Sequence, residues 1–142
     1  MTKRVNVIIV FNPDRTHVLM CYRTKNPYLG LYNFVGGKIE EGETDMEAAY
    51  RELQEETAIS AKDISLTHLF TTMYYVDDIE LQVFYGFLNK EVELVSEKHP
   101  LHWIALEGED FSKDTKFAGQ GNIKHMLDII RVSKQRDGLI EN

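Results

Sequence analysis

The chain has 142 residues, enough for one domain with its own core. Apolar residues make up 43% and charged residues 27%, which excludes a disordered chain, and the single Cys21 excludes both an intrachain disulfide framework and a cysteine-based zinc cluster. The longest apolar runs, such as residues 7–11, are far short of a membrane span, and the start of the chain is a poor signal peptide, so a cytoplasmic protein without membrane contact is expected.

Residues 5–11 form a β-branched run that reads as a strand. Asn12-Pro13-Asp14 is turn chemistry, and residues 18–22 read as the returning strand. Residues 26–32, with Pro27 and Gly30, look like a surface loop leading through the short apolar segment 33–35 into Gly36-Gly37. Paired glycines permit a close backbone approach. A helix is predicted after Gly42, with Thr44 as N-cap and Glu47 completing a capping box. Met46, Ala49, Tyr50, Leu53 and Thr57 keep its period, and it ends at Ala58 or Ile59. Residues 66–76 and 79–88 flank Asp77-Asp78 as a long hairpin; in the second arm the partition of apolar residues between faces is imperfect. Residues 101–106 are a further strand, with Trp103 expected in or beside the core. Ile123, Met126, Leu127 and Ile130 mark a C-terminal amphipathic helix, with Lys134 at its rim, and residues 136–142 are expected to fray. Strands, helix, strands, helix is the order of a sheet covered on both sides.

The net charge of −7 is concentrated. Residues 39–56 hold eight acids against one base, Arg51, while the rest carries 15 of each sign. There is no long basic stripe of the kind a duplex-binding protein needs. On the predicted helix Glu52, Glu55 and Glu56 stand at i, i+3 and i+4 and share one face. Arg51 alone is expected not to neutralise them. Such a face is either solvated or a site for Mg²⁺ or Mn²⁺, whose ligands are oxygens. Glu43 and the Gly36-Gly37 turn are placed to face the same spot.

The full string is more specific. Gly37, five residues, Glu43, seven residues, then Arg51-Glu52-Leu53-Gln54-Glu55-Glu56-Thr57-Ala58-Ile59 resembles the Nudix box, meeting eight of its nine specified positions over 23 residues. The departure is Ala58, where that family usually has Gly; a helix exit at negative φ is expected there. The resemblance implies an α/β fold, a Nudix-type α/β/α sandwich with a mixed, partly antiparallel sheet, spanning residues 1–142 as one domain. It further implies hydrolysis of a nucleoside diphosphate linked to another group. In the family, Glu52, Glu55 and Glu56 match metal ligands, the carbonyl of Gly36 or Gly37 an additional one, and Glu43 and Arg51 residues that support the cluster. Glu97 resembles a carboxylate that MutT-type members present from a later loop, as ligand or base; a plain surface glutamate is its alternative.

Substrate choice rests on other segments. Tyr32-Asn33 before the glycines resembles oxidised-purine triphosphatases, in which this Asn reads the base edge; an Asn packed on its own loop is the alternative. Asn122, before the last helix, is either a purine reader or a helix N-cap. Arg23 matches a phosphate- or base-contacting position of MutT-like proteins, and Lys38, after the paired glycines, is expected to meet a phosphate oxygen, with a solvated loop lysine as its alternative. The implied substrate is a purine deoxynucleoside triphosphate such as 8-oxo-dGTP, with ADP-ribose, dinucleoside polyphosphates or RNA 5′ ends as the alternative. The expected partner is thus a small-molecule nucleotide, with the protein a monomer or homodimer. The intact glutamate trio disfavours a non-catalytic nucleotide sensor.

Overall fold

β1 (Lys3–Phe11), β2 (His17–Tyr22) and β3 (Tyr32–Asn33) precede helix α1 (Asp45–Thr57); β4 (Thr67–Tyr74), β5 (Ile79–Phe87) and β6 (Leu101–Ala105) precede α2 (Asn122–Arg136). These elements come from a computed structural model that describes residues 2–136. The tail expected to fray lies outside the described residues from Asp137 onward; Arg136 is still helical.

β1 and β5 run parallel at the centre of the sheet, and β4 pairs antiparallel with the far side of β5. β2 meets β1 where Phe11 faces Val18, then pairs with β6 along its length and with β3 at its end. Beyond that point the edge of β1 is taken by the chain around the glycine pair, with Ile8 bridged to Val35 and Val5 to Lys38. This pairing carries the glycines to the middle of the sheet.

Side chains alternate across each strand, so the sheet has two apolar faces. On one, Ile9, Phe11, Leu81, Val83 and Tyr85 pack with Ile123, Met126 and Ile130 of α2. On the other, Ile8, Val10, Leu19, Val35 and Phe84 pack with Ala49 and Leu53 of α1, and Trp103 lies partly buried against this cluster. The result is the α/β/α sandwich. It also explains the imperfect alternation of β5: a strand covered on both faces needs apolar residues on both. Its one buried amide, Gln82, accepts from Thr71 Oγ1 at 2.7 Å and donates to Glu80 at 2.8 Å.

α1 begins where its cap dictates. Thr44 Oγ1 accepts from the Glu47 N–H at 3.1 Å and the Glu47 carboxylate accepts from the Thr44 N–H at 2.9 Å, a capping box. Arg4 ties the first turn to the sheet through ion pairs with Asp45 and Glu80. The exit differs from expectation. Ala58 does not keep a negative φ; it caps the helix at φ 68°, ψ 9°, with its N–H bonded to the Gln54 carbonyl. The left-handed cap wins because it satisfies that carbonyl, although a Cβ there costs about 1–2 kcal/mol. Ala58 is exposed and the strain has a simple remedy. Ala58→Gly should stabilise the fold by about 1 kcal/mol once the greater freedom of unfolded glycine is subtracted. Equal or lower midpoints in urea titrations of the variant would refute the assignment of strain.

Candidate active site

The site forms where the third turn of α1 passes the glycine pair. The Gly37 backbone lies so close to Glu52 that a Cβ on Gly37 would stand 2.5 Å from the carboxyl carbon of Glu52. Gly36 is pressed against β1 instead: a Cβ there would stand 2.1 Å from the Asn6 carbonyl oxygen. Gly36 has no room for a side chain, and one at Gly37 would have to displace the Glu52 carboxylate. Glu56, one turn after Glu52, lies near enough to the Gly36 backbone for the Gly36 N–H to favour the charged carboxylate.

Arg51 is the hub of the acidic helix. Its Nε and Nη2 grip the two carboxylate oxygens of Glu43 at 2.6 and 2.8 Å, and Nη1 reaches Glu52 at 2.9 Å and Glu55 at 3.1 Å. Nη2 also donates to the Lys38 carbonyl at 3.0 Å. One guanidinium therefore joins the loop before the helix, the glycine segment and two of the three helix carboxylates. The planar fork with five donors serves several acceptors at once, but its single positive charge is shared with Glu43 and does not neutralise the trio. Glu43 is held down to about 2 by the Arg51 hydrogen bonds, while Arg51 itself is pushed up.

Glu56 is the carboxylate this hub does not reach. Burial, and then the charge of Glu52, raise its pKa to about 7. Lys98 and Arg23 act in the opposite direction. Both cations therefore stand within electrostatic reach of Glu56. The loop carrying Lys98 is joined to the Arg23 loop by His99, whose Nδ1 accepts the Thr24 N–H at 3.1 Å. Arg23 Nε donates to the Pro27 carbonyl at 3.2 Å. Glu97 is exposed on the same loop, one residue before Lys98.

The remaining expected residues are more scattered. The Lys38 side chain is exposed beside the glycines. Asn33 ends β3, and its Oδ1 accepts the Phe34 N–H at 2.8 Å, the local arrangement weighed as its alternative. Asn122 is not the N-cap of α2: the first helical bond runs from the His125 N–H to the Gly121 carbonyl, so Gly121 caps and Asn122 is the first helical residue. Asn122 lines a separate groove against Thr72 and Tyr74 of β4. Two residues of the neighbourhood were not picked out from sequence. Asn6 carries a faint signal, a polar residue inside a β-branched run; Lys98, on an exposed loop, carries none.

Among the described residues no three acidic, His or Cys side chains form a group that could hold a metal ion, and Glu52 and Glu55 are both bonded to Arg51. What converges is an all-oxygen set: the Glu52 and Glu56 carboxylates and the glycine backbone. Burial and the second carboxylate disfavour the charged form of Glu56, and a cation bound between the two would favour it. That donor set fits a hard divalent cation.

The sequence model of the NUDIX domain family matches residues 2–117. The chain belongs to that family, and it is a hydrolase of the Nudix type acting on a nucleotide or nucleotide conjugate. Solved structures agree in fold. The NUDIX domain of Shewanella oneidensis NrtR, determined with ADP ribose, matches at TM-score 0.72 and 17% identity over 94% of this chain and 88% of that one. A C. elegans Ap4A hydrolase matches at 0.69 and 18% over 91% and 98%. A MutT/nudix family protein from Enterococcus faecalis matches at 0.64 and 18% over 78% of this chain, which spans only 46% of that longer one. Among the described residues no helix is long and apolar enough to cross a membrane.

Proposed function

We propose that the protein is a divalent-metal-dependent pyrophosphohydrolase of nucleotide conjugates, with Glu52, Glu56 and a glycine carbonyl holding Mg²⁺ or Mn²⁺. The observation that carries this reading is Glu56, which Arg51 does not reach, set beside Glu52 and against the Gly36–Gly37 backbone with Lys98 and Arg23 within electrostatic reach. A bound divalent ion there would acidify an attacking water and neutralise phosphate charge. Arg51 orients Glu52 and Glu55 and leaves Glu56 free to bind. Arg23, Lys98 and Lys38 take the phosphate oxygens and stabilise the charge that shifts as the P–O bond to the leaving group breaks. Glu55, on the rim beside Arg51, and Glu97, on the loop with Lys98, are the two carboxylates placed to accept the proton of the water.

The class of substrate is drawn broadly because the two asparagines that would read a purine have separate surroundings: Asn33 is engaged by its neighbour's N–H, and Asn122 faces β4. A fold shared with an ADP-ribose-bound domain and an Ap4A hydrolase likewise singles out no one nucleotide substrate. The narrower reading, an oxidised purine deoxynucleoside triphosphatase, rests on the place of Asn33 three residues before Gly36. A Mg²⁺-dependent hydrolysis panel separates them, covering 8-oxo-dGTP, the dNTPs, ADP-ribose, dinucleoside polyphosphates and capped RNA. Conjugates are expected to match or exceed the triphosphates in kcat/KM. A tenfold or greater preference for 8-oxo-dGTP, lost in Asn33→Ala at unchanged kcat, would establish the narrower reading. No hydrolysis of any member with Mg²⁺ or Mn²⁺ would overturn both.

A further inference from the structure

The segment beside β1 makes one main-chain bond at each of three rungs. Ile8 N–H donates to the Val35 carbonyl at 2.8 Å, Asn6 N–H to the Gly37 carbonyl at 2.8 Å, and Ile39 N–H to the Arg4 carbonyl at 3.0 Å. In a regular antiparallel pair the Gly37 N–H would return to the Asn6 main-chain carbonyl. It goes instead to the Asn6 side chain, bonding Oδ1 at 2.9 Å, while Gly36 crowds the Asn6 carbonyl. One residue thus grips the Gly37 peptide groups from both sides.

Two consequences follow from elementary geometry. The Gly37 carbonyl is bound to β1, so of the two glycine carbonyls the Gly36 oxygen is the better placed ligand. In a trans peptide the Gly36 carbonyl and the Gly37 N–H point in opposite directions, so whatever anchors that N–H aims that carbonyl. A further observation marks Asn6 as more than filler. It is 2% exposed, and its Nδ2 is buried with no hydrogen-bond partner. An orphaned buried donor is unfavourable, and an apolar residue of similar size would remove it. The oxygen is the half of this side chain that the structure uses.

We infer that Asn6 is a positioning residue for the metal site: its Oδ1, by holding the Gly37 N–H, sets the direction of the Gly36 carbonyl beside Glu52 and Glu56. This rests on the metal-dependent reading above. Asn6 touches neither substrate nor the carboxylates; it acts through the backbone it holds.

The test is Mn²⁺ binding by calorimetry to the full-length protein, with thermal melts alongside. Asn6→Leu removes the acceptor and the orphaned donor together. It trades the orphaned Nδ2 for an unpartnered Gly37 N–H, so it should melt close to the wild type in chelator yet bind Mn²⁺ about 10–100-fold more weakly, as the loss of a supporting hydrogen bond at a metal site does. Its activity should need correspondingly more metal and recover towards the wild-type kcat at saturation. Asn6→Asp keeps an oxygen for the Gly37 N–H and should bind Mn²⁺ at least as tightly as the wild type. Wild-type Mn²⁺ affinity in a folded Asn6→Leu, or a loss in Asn6→Asp as large as in Asn6→Leu, overturns the role of Asn6 and leaves the metal-dependent reading standing. No Mn²⁺ binding by the wild type overturns both. Should Asn6→Leu fail to fold, a tenfold or greater loss of Mn²⁺ affinity in folded Asn6→Asp overturns the role of Asn6.

Discussion

Glu56→Gln should lower turnover by about 100-fold or more while leaving the metal-free protein as stable as the wild type. The two effects separate because this carboxylate is costly to the fold. Burial and the charge of Glu52 hold its pKa near 7, so its ionised form is disfavoured in the folded protein without metal. Gln keeps the shape and the helix propensity and removes the charge. With added Mg²⁺ the wild type should gain in melting temperature, as any ligand selective for the folded state requires, and Glu56→Gln should gain little. Near-normal turnover by the variant at limiting Mg²⁺ would sink the assignment of Glu56 as a ligand.

The paired glycines should respond to alanine in opposite ways. A methyl on Gly36 meets main-chain atoms, the Asn6 carbonyl at 2.1 Å and the Val7 Cα at 2.9 Å. Backbone in the middle of a sheet cannot step aside, so Gly36→Ala should destabilise by about 3 kcal/mol or more. A methyl on Gly37 meets only the end of a side chain, the Glu52 carboxylate at 2.5 Å. That side chain can rotate away, so Gly37→Ala should melt near the wild type and lose activity by about tenfold or more, because Glu52 has left its position. Thermal melts and kinetics of the two variants read both effects. A stable Gly36→Ala would contradict the close approach to β1, and a fully active Gly37→Ala would remove Glu52 from the machinery.

Local signals were legible because local chemistry decides them. The capping box Thr44–Glu47 starts α1 with bonds between residues three apart, and the period of Ala49, Leu53 and Thr57 states which face is buried. Spacing on a helix likewise brings Glu52 and Glu56 to one face. The end of α1 was harder. Whether Ala58 turns left-handed depends on the competition between a Cβ clash and an orphaned carbonyl, and residue type alone does not rank those two terms.

The sequence by itself determined the order of strands and helices, the acidic helix and the string of box residues, since each rests on periodicity or spacing along the chain, and the sandwich followed from what the resemblance of that string implies. Only the tertiary structure decided how the charges are shared and what the glycines are for. Arg51 serves Glu43, Glu52 and Glu55 because a loop and a helix meet within reach of one fork. Glu56 is left with Lys98 and Arg23, cations from loops 42 and 33 positions away in the chain. Asn6 and Gly37, 31 residues apart, become partners because parallel β1 and β5 leave the other edge of β1 open to the glycine segment. Contacts of that range are set by which edge a strand offers, and no local pattern encodes them.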